Sequence, residues 1–366
     1  MERSSPNTLY SIQALRALAA AWVVIYHQIN AERVYGAGVS VLGGLAHFGF
    51  AGVDLFFVIS GFIMATVTSG RFGKPTAAAD FLGKRVIRIY PLYWICTAAI
   101  LAVLAVRPSA LDPALAEKSV MESLLLLPVQ GGPLLVVGWT LTYELYFYVL
   151  TAIALAAASQ RTVPWLLGAW AVGLALAQLL PAQSPWAILV TSPLAFEFIA
   201  GALAGLYWRR LTVAAAWGIL AVGITWLLGA CALLIDMPNH GESPGTRTLA
   251  FGPAAALIVA GLARLELADK IRVPRVAVLL GDASYSLYLT HLFVLSICGR
   301  LAASFAMTGS ALGNWAFIIM SFIATCCVAM IVHRLIERPM LRLGHGAWRR
   351  LQGKPKRLGQ PLTSND

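Results

Sequence analysis

Runs of about twenty apolar residues, separated by short polar segments, recur along the whole of this chain. An apolar helix of that length crosses the ~30 Å hydrocarbon core of a bilayer. The pattern therefore predicts an all-α membrane protein, a bundle of about ten transmembrane helices. The predicted spans are 9–29, 48–68, 86–106, 138–158, 163–181, 191–208, 213–235, 248–264, 277–298 and 312–333.

One further apolar stretch, at 119–138, is interrupted by two prolines and a Gly-Gly pair. Proline removes a backbone donor and glycine weakens a helix interior, so this stretch would make a poor transmembrane helix. We expect it to be re-entrant or to lie at the membrane surface. Nine or eleven spans are the alternatives to ten.

The distribution of basic residues predicts the orientation of these spans. Lys and Arg concentrate in the cytoplasmic loops of membrane proteins. With ten spans and both termini in the cytoplasm, 22 of the 27 basic residues fall on the cytoplasmic side. The other five are Arg33, Arg107, Lys118, Arg247 and Arg300. An odd number of spans would remove this asymmetry, and the expected location is the inner membrane of a bacterium.

Composition agrees with a membrane protein and narrows its partners. Apolar residues make up 59% of the chain and charged residues only 12%, far from the averages of soluble domains. The net charge is +11, and the basic residues that produce it lie beside apolar spans and in the C-terminal tail. Two effects explain them: the orientation of the spans in the membrane, and attraction to anionic lipid, which is worth about 1 kcal/mol per basic residue. We therefore expect a lipid bilayer as a partner and no nucleic acid.

The domain organisation follows from the same pattern. Residues 1–344 are predicted to form the membrane domain, and 345–366 a basic, disordered cytoplasmic tail. The first span carries Arg16 and lacks a small-residue cleavage pattern, so it is expected to be retained as a helix and not removed as a signal peptide. No soluble domain is expected at either end, and the oligomeric state is left open.

Cysteine and histidine spacing argues against a metal site. The five cysteines lie in or beside apolar spans without paired spacing, and no two of the six histidines share a helix at metal-ligand spacing. We expect neither a metal nor a tightly bound cofactor.

The first span contains two ionisable residues that insertion does not need. Arg16 and His27 are eleven positions apart, which is close to three full helical turns and about 16 Å along the axis. They therefore lie on one face of one helix. Ionisable groups at membrane depth face a protein interior or water, so this pair predicts a functional site within the bundle.

Four other spans carry polar positions. In the second, Asp54 is followed by the small pair Ser60-Gly61, which permits close approach of a neighbouring helix. The third span begins with two arginines three residues apart, Arg85 and Arg88.

The fourth and ninth spans carry polar side chains on one side of the helix. In the fourth these are Thr140 and Glu144, and in the ninth they are Ser284, Tyr288 and His291.

Taken in order, these patterns resemble the integral-membrane acyltransferase family 3, which moves acyl groups onto carbohydrates and other extracytoplasmic acceptors. The matching segments cover residues 9 to about 340. They are the R-x10-H of Arg16 and His27, the FFVISGF at 56–62, the basic pair before Tyr90-Pro91, the segment from Trp139 to Tyr148, and the segment from Ser284 to His291. The chain is similar to the stand-alone type, without an additional esterase-like domain.

The resemblance implies acyl transfer from an acyl-CoA to a sugar hydroxyl. Such a reaction needs a base for the hydroxyl proton, and histidine suits that task near neutral pH. His27 is the candidate base, with His291 as a second candidate. A carboxylate commonly orients a catalytic imidazole, and Glu144 is the preferred candidate for that role, with Asp54 as an alternative.

The resemblance also implies where the two substrates bind. Arginine matches phosphate oxygens with a forked donor, so Arg85 and Arg88 are candidates for the CoA phosphates. Arg16 would line the path of the pantetheine arm or hold the thioester, as a binding and catalytic residue. Candidates for contact with the acceptor are Asp54, Trp139, Tyr288 and His291.

Each of these residues also has a structural interpretation. Arg16 and His27 could clamp helices together, Arg85 and Arg88 could be ordinary cytoplasmic flanking charges, and Glu144 could bond to a neighbouring helix. His291 and Tyr288 could serve packing, and Trp139 could mark the membrane interface. A transporter or flippase, which also uses ionisable groups within spans, is the alternative to an O-acetyltransferase.

Overall fold

The computed structural model describes residues 9–107, 112–181 and 183–353, and in these residues the chain is helical without strands. The α-helices are α1 (Tyr10–Tyr35), α2 (Ala51–Thr68), α3 (Pro75–Val106), α4 (Val120–Leu125), α5 (Trp139–Ala157), α6 (Val163–Ala177), α7 (Pro185–Thr191), α8 (Ala195–Tyr207), α9 (Val213–Leu234), α10 (Pro244–Leu267), α11 (Arg275–Asp282), α12 (Ser284–Ser304), α13 (Ala311–Val332) and α14 (Arg338–Leu351). The predicted all-α class is confirmed.

Within the described residues, the number of candidate membrane-crossing helices is nine, one of the alternatives to the ten predicted. Nine helical segments of the described residues are long and apolar enough to cross a bilayer. The segment predicted as a span at 163–181 forms α6, which has only 15 residues. At 1.5 Å per residue it measures about 22 Å, short of the ~30 Å of hydrocarbon. The orientation of the termini stays a prediction.

Two predicted boundaries were wrong. The span predicted at 277–298 is interrupted at Ala283, which separates α11 from α12. The second boundary is the one between the membrane domain and the C-terminal tail. There, a π-helical turn at His333–Glu337 joins α13 to α14. Helix α14 runs to Leu351, seven residues into the tail that was expected to be disordered. The rest of that tail, from 354, lies outside the described residues.

The chain divides into two compact units. The first comprises the residues up to Thr66 together with Pro193–His333. Within it, α1 packs against α10, α11, α12 and α13, and α10 packs against α8 and α9. Helix α1, which carries Arg16 and His27, is therefore in contact with four other helices of this unit.

The second unit comprises Val67–Ser192 and the residues from Arg334 onward. Helix α3 packs against α5 and α14. Three aromatic side chains of α3 hold the interrupted apolar stretch by donating to its backbone carbonyls: Tyr90 to Leu125, Tyr93 to Ser123 and Trp94 to Leu124, at 3.0, 2.6 and 2.9 Å. As predicted, the stretch at 119–138 forms no span of its own, since its one α-helix is the short α4 and the 3₁₀ turn Val136–Gly138 leads into α5.

Small residues bring α2 and α8 into backbone contact in the first unit. A Cβ placed on Gly61 would collide with the carbonyl oxygen of Phe198, and one placed on Gly201 would collide with the carbonyl oxygen of Val58. Lipid provides no hydrophobic drive between helices, so close packing of this kind is a main source of helix association. The close approach predicted from Ser60-Gly61 is present.

We expect Gly61→Ala to lower thermal stability, because the new methyl group meets a backbone oxygen that cannot rotate away. Overpacking of this kind costs about 1–3 kcal/mol. Thermal unfolding of the purified protein in detergent measures the effect. Gly218→Ala is the matched control, since nothing lies within 4 Å of its added Cβ. Equal melting temperatures for the two variants would contradict the packing described here.

Candidate active site

The arginine and the histidine of α1 have different surroundings. Arg16 is buried and donates to the Oε1 atom of Gln13 at 3.1 Å. His27, three turns further along the helix, is half-buried and lies on the wall of a cavity. The two residues therefore stay candidates for different parts of one site on α1.

His27 is next to the second histidine predicted from the sequence. The Nε2 atom of His291 lies 3.3 Å from the Nδ1 atom of His27, and the ring centroids are 4.8 Å apart. The same Nδ1 atom lies 2.9 Å from the carbonyl oxygen of Val23. His291 is fully buried and its Nδ1 atom lies 2.7 Å from the carbonyl oxygen of Tyr288. Helices α1 and α12 thus bring two imidazoles together that are 264 residues apart in the chain.

The cavity beside His27 has a volume of about 510 Å³ and belongs to the first unit. Its wall comes from the C-terminal half of α1, the 3₁₀ segment Gly44–Phe50 and the loop between α9 and α10. The side chains on this wall are polar or aromatic with one exception, Ile29: Tyr26, His27, Asn30, Arg33, His47, Phe50, Asn239 and Glu242. A cavity of this size and character can hold a small polar ligand next to an imidazole.

A carboxylate lies on the wall of this cavity. The hydroxyl of Tyr26 donates to both carboxylate oxygens of Glu242, each at 3.0 Å. The Tyr26 ring in turn packs edge-on against His27 and Phe50. Glu242 was missed in the sequence because it lies in a loop far from any recognisable motif.

A buried ion pair contacts the backbone of Phe50, one of the residues that line this cavity. Arg247 of α10 contacts Asp54 of α2 with two nitrogens, at 2.9 Å from Nε and 2.6 Å from the terminal nitrogen, and it also donates to the carbonyl of Phe50 at 3.0 Å. Both side chains are almost completely buried. Asp54 is therefore bound by an arginine, which gives it a structural role; contact with the acceptor stays a prediction.

Arg247 was placed outside the bundle by the sequence pattern. Helix α10 begins at Pro244, before the predicted start of its span, so the first helical turn carries Arg247 into the protein interior. The presence of Asp54 in an apolar span could have indicated a buried cation such as Arg247, because a buried carboxylate needs a cationic partner. The fully buried Glu197 of α8 lies beside Asp54 and adds a second acid to this cluster.

The second unit contains the other predicted charged residues. Arg85 is buried, with its guanidinium 5.4 Å from the Phe81 ring centroid and 5.7 Å from that of Tyr148. The hydroxyl of Tyr148 donates to Glu144, and Arg88 lies close enough to act on Tyr148 electrostatically. Burial against two rings makes Arg85 more than an exposed flanking charge. The pairing of Glu144 with His27 stays a prediction.

The two aromatic candidates each have a ring partner. The Trp139 ring packs edge-on against Tyr143 at 5.7 Å. Tyr288 is buried between Phe56 and His291, at centroid distances of 6.0 and 5.9 Å. Contact of either ring with substrate stays a prediction. Within the ranges that the structure covers, no three His, Cys, Asp or Glu side chains are grouped so as to hold a metal ion.

These features define a multi-span helical membrane protein with an imidazole at a polar cavity. Residues 9–334 match the acyltransferase family 3 model, which is described as an acyltransferase domain. The chain belongs to this family and is a membrane O-acyltransferase.

Three relatives show the extent of the similarity. The exopolysaccharide production protein ExoZ of Rhizobium meliloti (strain 1021) is 30% identical over 309 residues, covering 81% of this chain and 90% of the relative. Nodulation protein 10 of Rhizobium leguminosarum bv. viciae and the acyltransferase MdmB of Streptomyces mycarofaciens are each 25% identical, covering 90% and 92% of this chain and 92% of each relative. No solved structure matches the chain.

We expect Asp54→Asn to destabilise the protein strongly, because it removes the carboxylate that the buried Arg247 guanidinium contacts directly with two nitrogens. Removing one partner of a buried ion pair costs about 3–5 kcal/mol. Thermal unfolding in detergent would show a large drop in melting temperature, and Asp54→Leu combined with Arg247→Met should recover part of it. The matched control is Asp80→Asn, which removes a partly exposed contact to Arg71 worth about 1 kcal/mol or less. Similar losses in the two single variants would contradict this role of Asp54.

Proposed function

We propose that this protein transfers an acyl group, most simply acetyl, from cytoplasmic acyl-CoA to a hydroxyl of an extracytoplasmic polysaccharide or lipid-linked glycan. The observation that carries the proposal is the His27 imidazole on the wall of a polar and aromatic cavity. Membership of an acyltransferase family and a relative named an exopolysaccharide production protein support it.

In the proposed reaction His27 is the general base. An alcohol is a weak nucleophile until its proton is removed, and an imidazole can accept that proton near neutral pH. The acceptor oxygen then attacks the thioester carbonyl, so an acyl–oxygen bond forms and the acyl–sulfur bond breaks. The proton held by His27 passes to the leaving thiolate, which departs as CoA thiol, and the imidazole returns to its neutral form.

The walls of the cavity suit a carbohydrate acceptor. Asn30, Asn239 and Glu242 offer amide and carboxylate groups that can bond to sugar hydroxyls, and the aromatic rings of Tyr26 and Phe50 offer flat apolar surfaces. Under the predicted topology, this end of α1 is the extracytoplasmic end. An acceptor would therefore reach His27 from outside the cell.

The proposed donor site uses the arginines. Arg85 and Arg88 lie in the N-terminal part of α3, which the predicted topology places towards the cytoplasm, where acyl-CoA is available. Their guanidinium groups can form paired hydrogen bonds with CoA phosphates. Arg16 would contact the pantetheine arm or the thioester.

The alternative function, a transporter or flippase, would lack this donor site. Binding of acyl-CoA to the purified protein therefore separates the two functions, and family membership favours the enzyme.

We expect His27→Ala to reduce acyl transfer by about 10²–10⁴-fold, the usual contribution of a general base, while acetyl-CoA binding is retained. The measurement is the mass of surface glycans from cells that contain the variant, the wild-type protein or neither, since the missing mass names the acyl group and its sugar. His333→Ala, at the end of α13, is the control histidine and should keep the modification. Full modification in the His27 variant would exclude this base.

We expect Arg85→Ala combined with Arg88→Ala to raise the dissociation constant of acetyl-CoA by about tenfold or more, because charge-assisted hydrogen bonds are worth about 1.5–3 kcal/mol each. Isothermal titration of the purified protein with acetyl-CoA measures the change. The matched control is Arg209→Ala with Arg210→Ala, a second basic pair, whose guanidinium groups lie against Trp208 and Tyr207. If the affinity for acetyl-CoA is unchanged in the Arg85/Arg88 variant, the two arginines have a structural role only.

A further inference from the structure

Backbone carbonyl oxygens define where the paired imidazoles of His27 and His291 carry their protons. The carbonyl oxygen of Tyr288 can only accept a hydrogen bond, so the Nδ1 atom of His291, 2.7 Å away, carries the proton of the neutral ring. The Nε2 atom of that ring is then an acceptor. It is this acceptor atom that lies 3.3 Å from His27.

The same reasoning applies to His27. Its Nδ1 atom lies 2.9 Å from the carbonyl oxygen of Val23, which again requires a proton on Nδ1. That one N–H is shared between the Val23 oxygen and the Nε2 atom of His291. The Nε2 atom of His27 is left with its lone pair, and this is the nitrogen that a general base needs.

We propose that His291 is a positioning residue for the proposed acyl transfer, holding His27 in the tautomer with a free Nε2 and accepting a hydrogen bond from the imidazolium that forms. This inference rests on the proposed function, with His27 as the base. His291 is fully buried and is not among the residues that line the cavity. It therefore acts through His27, and this role replaces the earlier expectations that it is a second base or contacts the acceptor.

A neutral imidazole is well suited to this place. A carboxylate that oriented His27 would have to be buried with its charge, which is costly without a cation beside it. Two acids of this unit that could have served already have partners, since Asp54 binds Arg247 and Glu242 accepts from Tyr26. His291 supplies an acceptor without adding a charge, the task for which a carboxylate such as Glu144 was expected.

Two substitutions separate this role from packing. In His291→Asn the amide can keep the bond to the Tyr288 carbonyl but is too short to reach His27, whereas in His291→Gln the amide oxygen can take the place of Nε2. With acetyl-CoA as donor and the surface glycan fraction of cells lacking the protein as acceptor, we expect His291→Asn to lower kcat about tenfold or more, the worth of one hydrogen bond to a charged group. The KM for acetyl-CoA should not change, and His291→Gln should recover most of kcat.

Further results would overturn the inference without touching the proposed function. One is full kcat in His291→Asn. The other is a kcat in His291→Gln as low as that in His291→Asn, with both variants melting at the wild-type temperature.

A double variant and a spectroscopic measurement give independent tests. In a His27→Ala background, substitution of His291 should cause no further loss of acyl transfer; an additional loss would show that His291 acts independently. If the variants do not fold, ¹⁵N NMR of histidine-labelled wild-type protein still decides, because a proton on Nε2 of neutral His27 or His291 would contradict the arrangement. Full activity in His27→Ala, in contrast, would remove the base itself.

Discussion

Hydrocarbon offers no hydrogen-bond partner, so every ionisable side chain inside this bundle must be satisfied by the protein or by a water-filled cavity. In the first unit the requirement is met by pairing across helices. Arg247 of α10 meets Asp54 of α2 with two nitrogens, and a backbone carbonyl takes a further donor. Because these contacts join residues 193 positions apart, they fix α2 and α10 against each other and hold the backbone at Phe50, whose ring lines the cavity.

The same requirement distinguishes structural acids from residues available for chemistry. Glu32 of α1 is completely buried, and its carboxylate accepts from the backbone N–H groups of Val41 and Leu42, from Ser40 and from Asn314. Such a group has no capacity left for a substrate, so it anchors the loop after α1. His27, about one and a half turns earlier on the helix, uses its Nδ1 atom for inner contacts and lies on the wall of the cavity.

The fold class and part of the site could be predicted because they depend on local signals. Apolar runs identify helices, and the eleven-residue spacing of Arg16 and His27 needs only the geometry of one helix. The Ser60-Gly61 pair indicated a close helix contact, which α8 provides. The break at Ala283 and the shortness of α6 were missed, because hydropathy reports the apolar character of a segment and not whether its helix is continuous or how long it is.

The remaining features of the site depend on contacts that no local pattern encodes. Glu242 and Tyr26 are 216 residues apart, and the two histidines are 264 apart. The two histidines could be recognised as polar residues in apolar spans, but their pairing could not be predicted, because it depends on how α1 and α12 pack. This is why His291 was interpreted as a base or substrate contact from its own helix alone.

The partners of a buried imidazole therefore say more about its role than its position in a motif. Two histidines in contact could each be acid, base or packing residue, and the sequence does not separate these roles. Backbone carbonyls do, because a carbonyl accepts and never donates. Val23 and Tyr288 each hold a proton on an Nδ1 atom, so the Nε2 atom of His27 keeps its lone pair on the half-buried ring, while the Nε2 atom of the buried His291 accepts from His27. The proposed order of the two histidines, His27 as base and His291 as its support, rests on that difference in exposure.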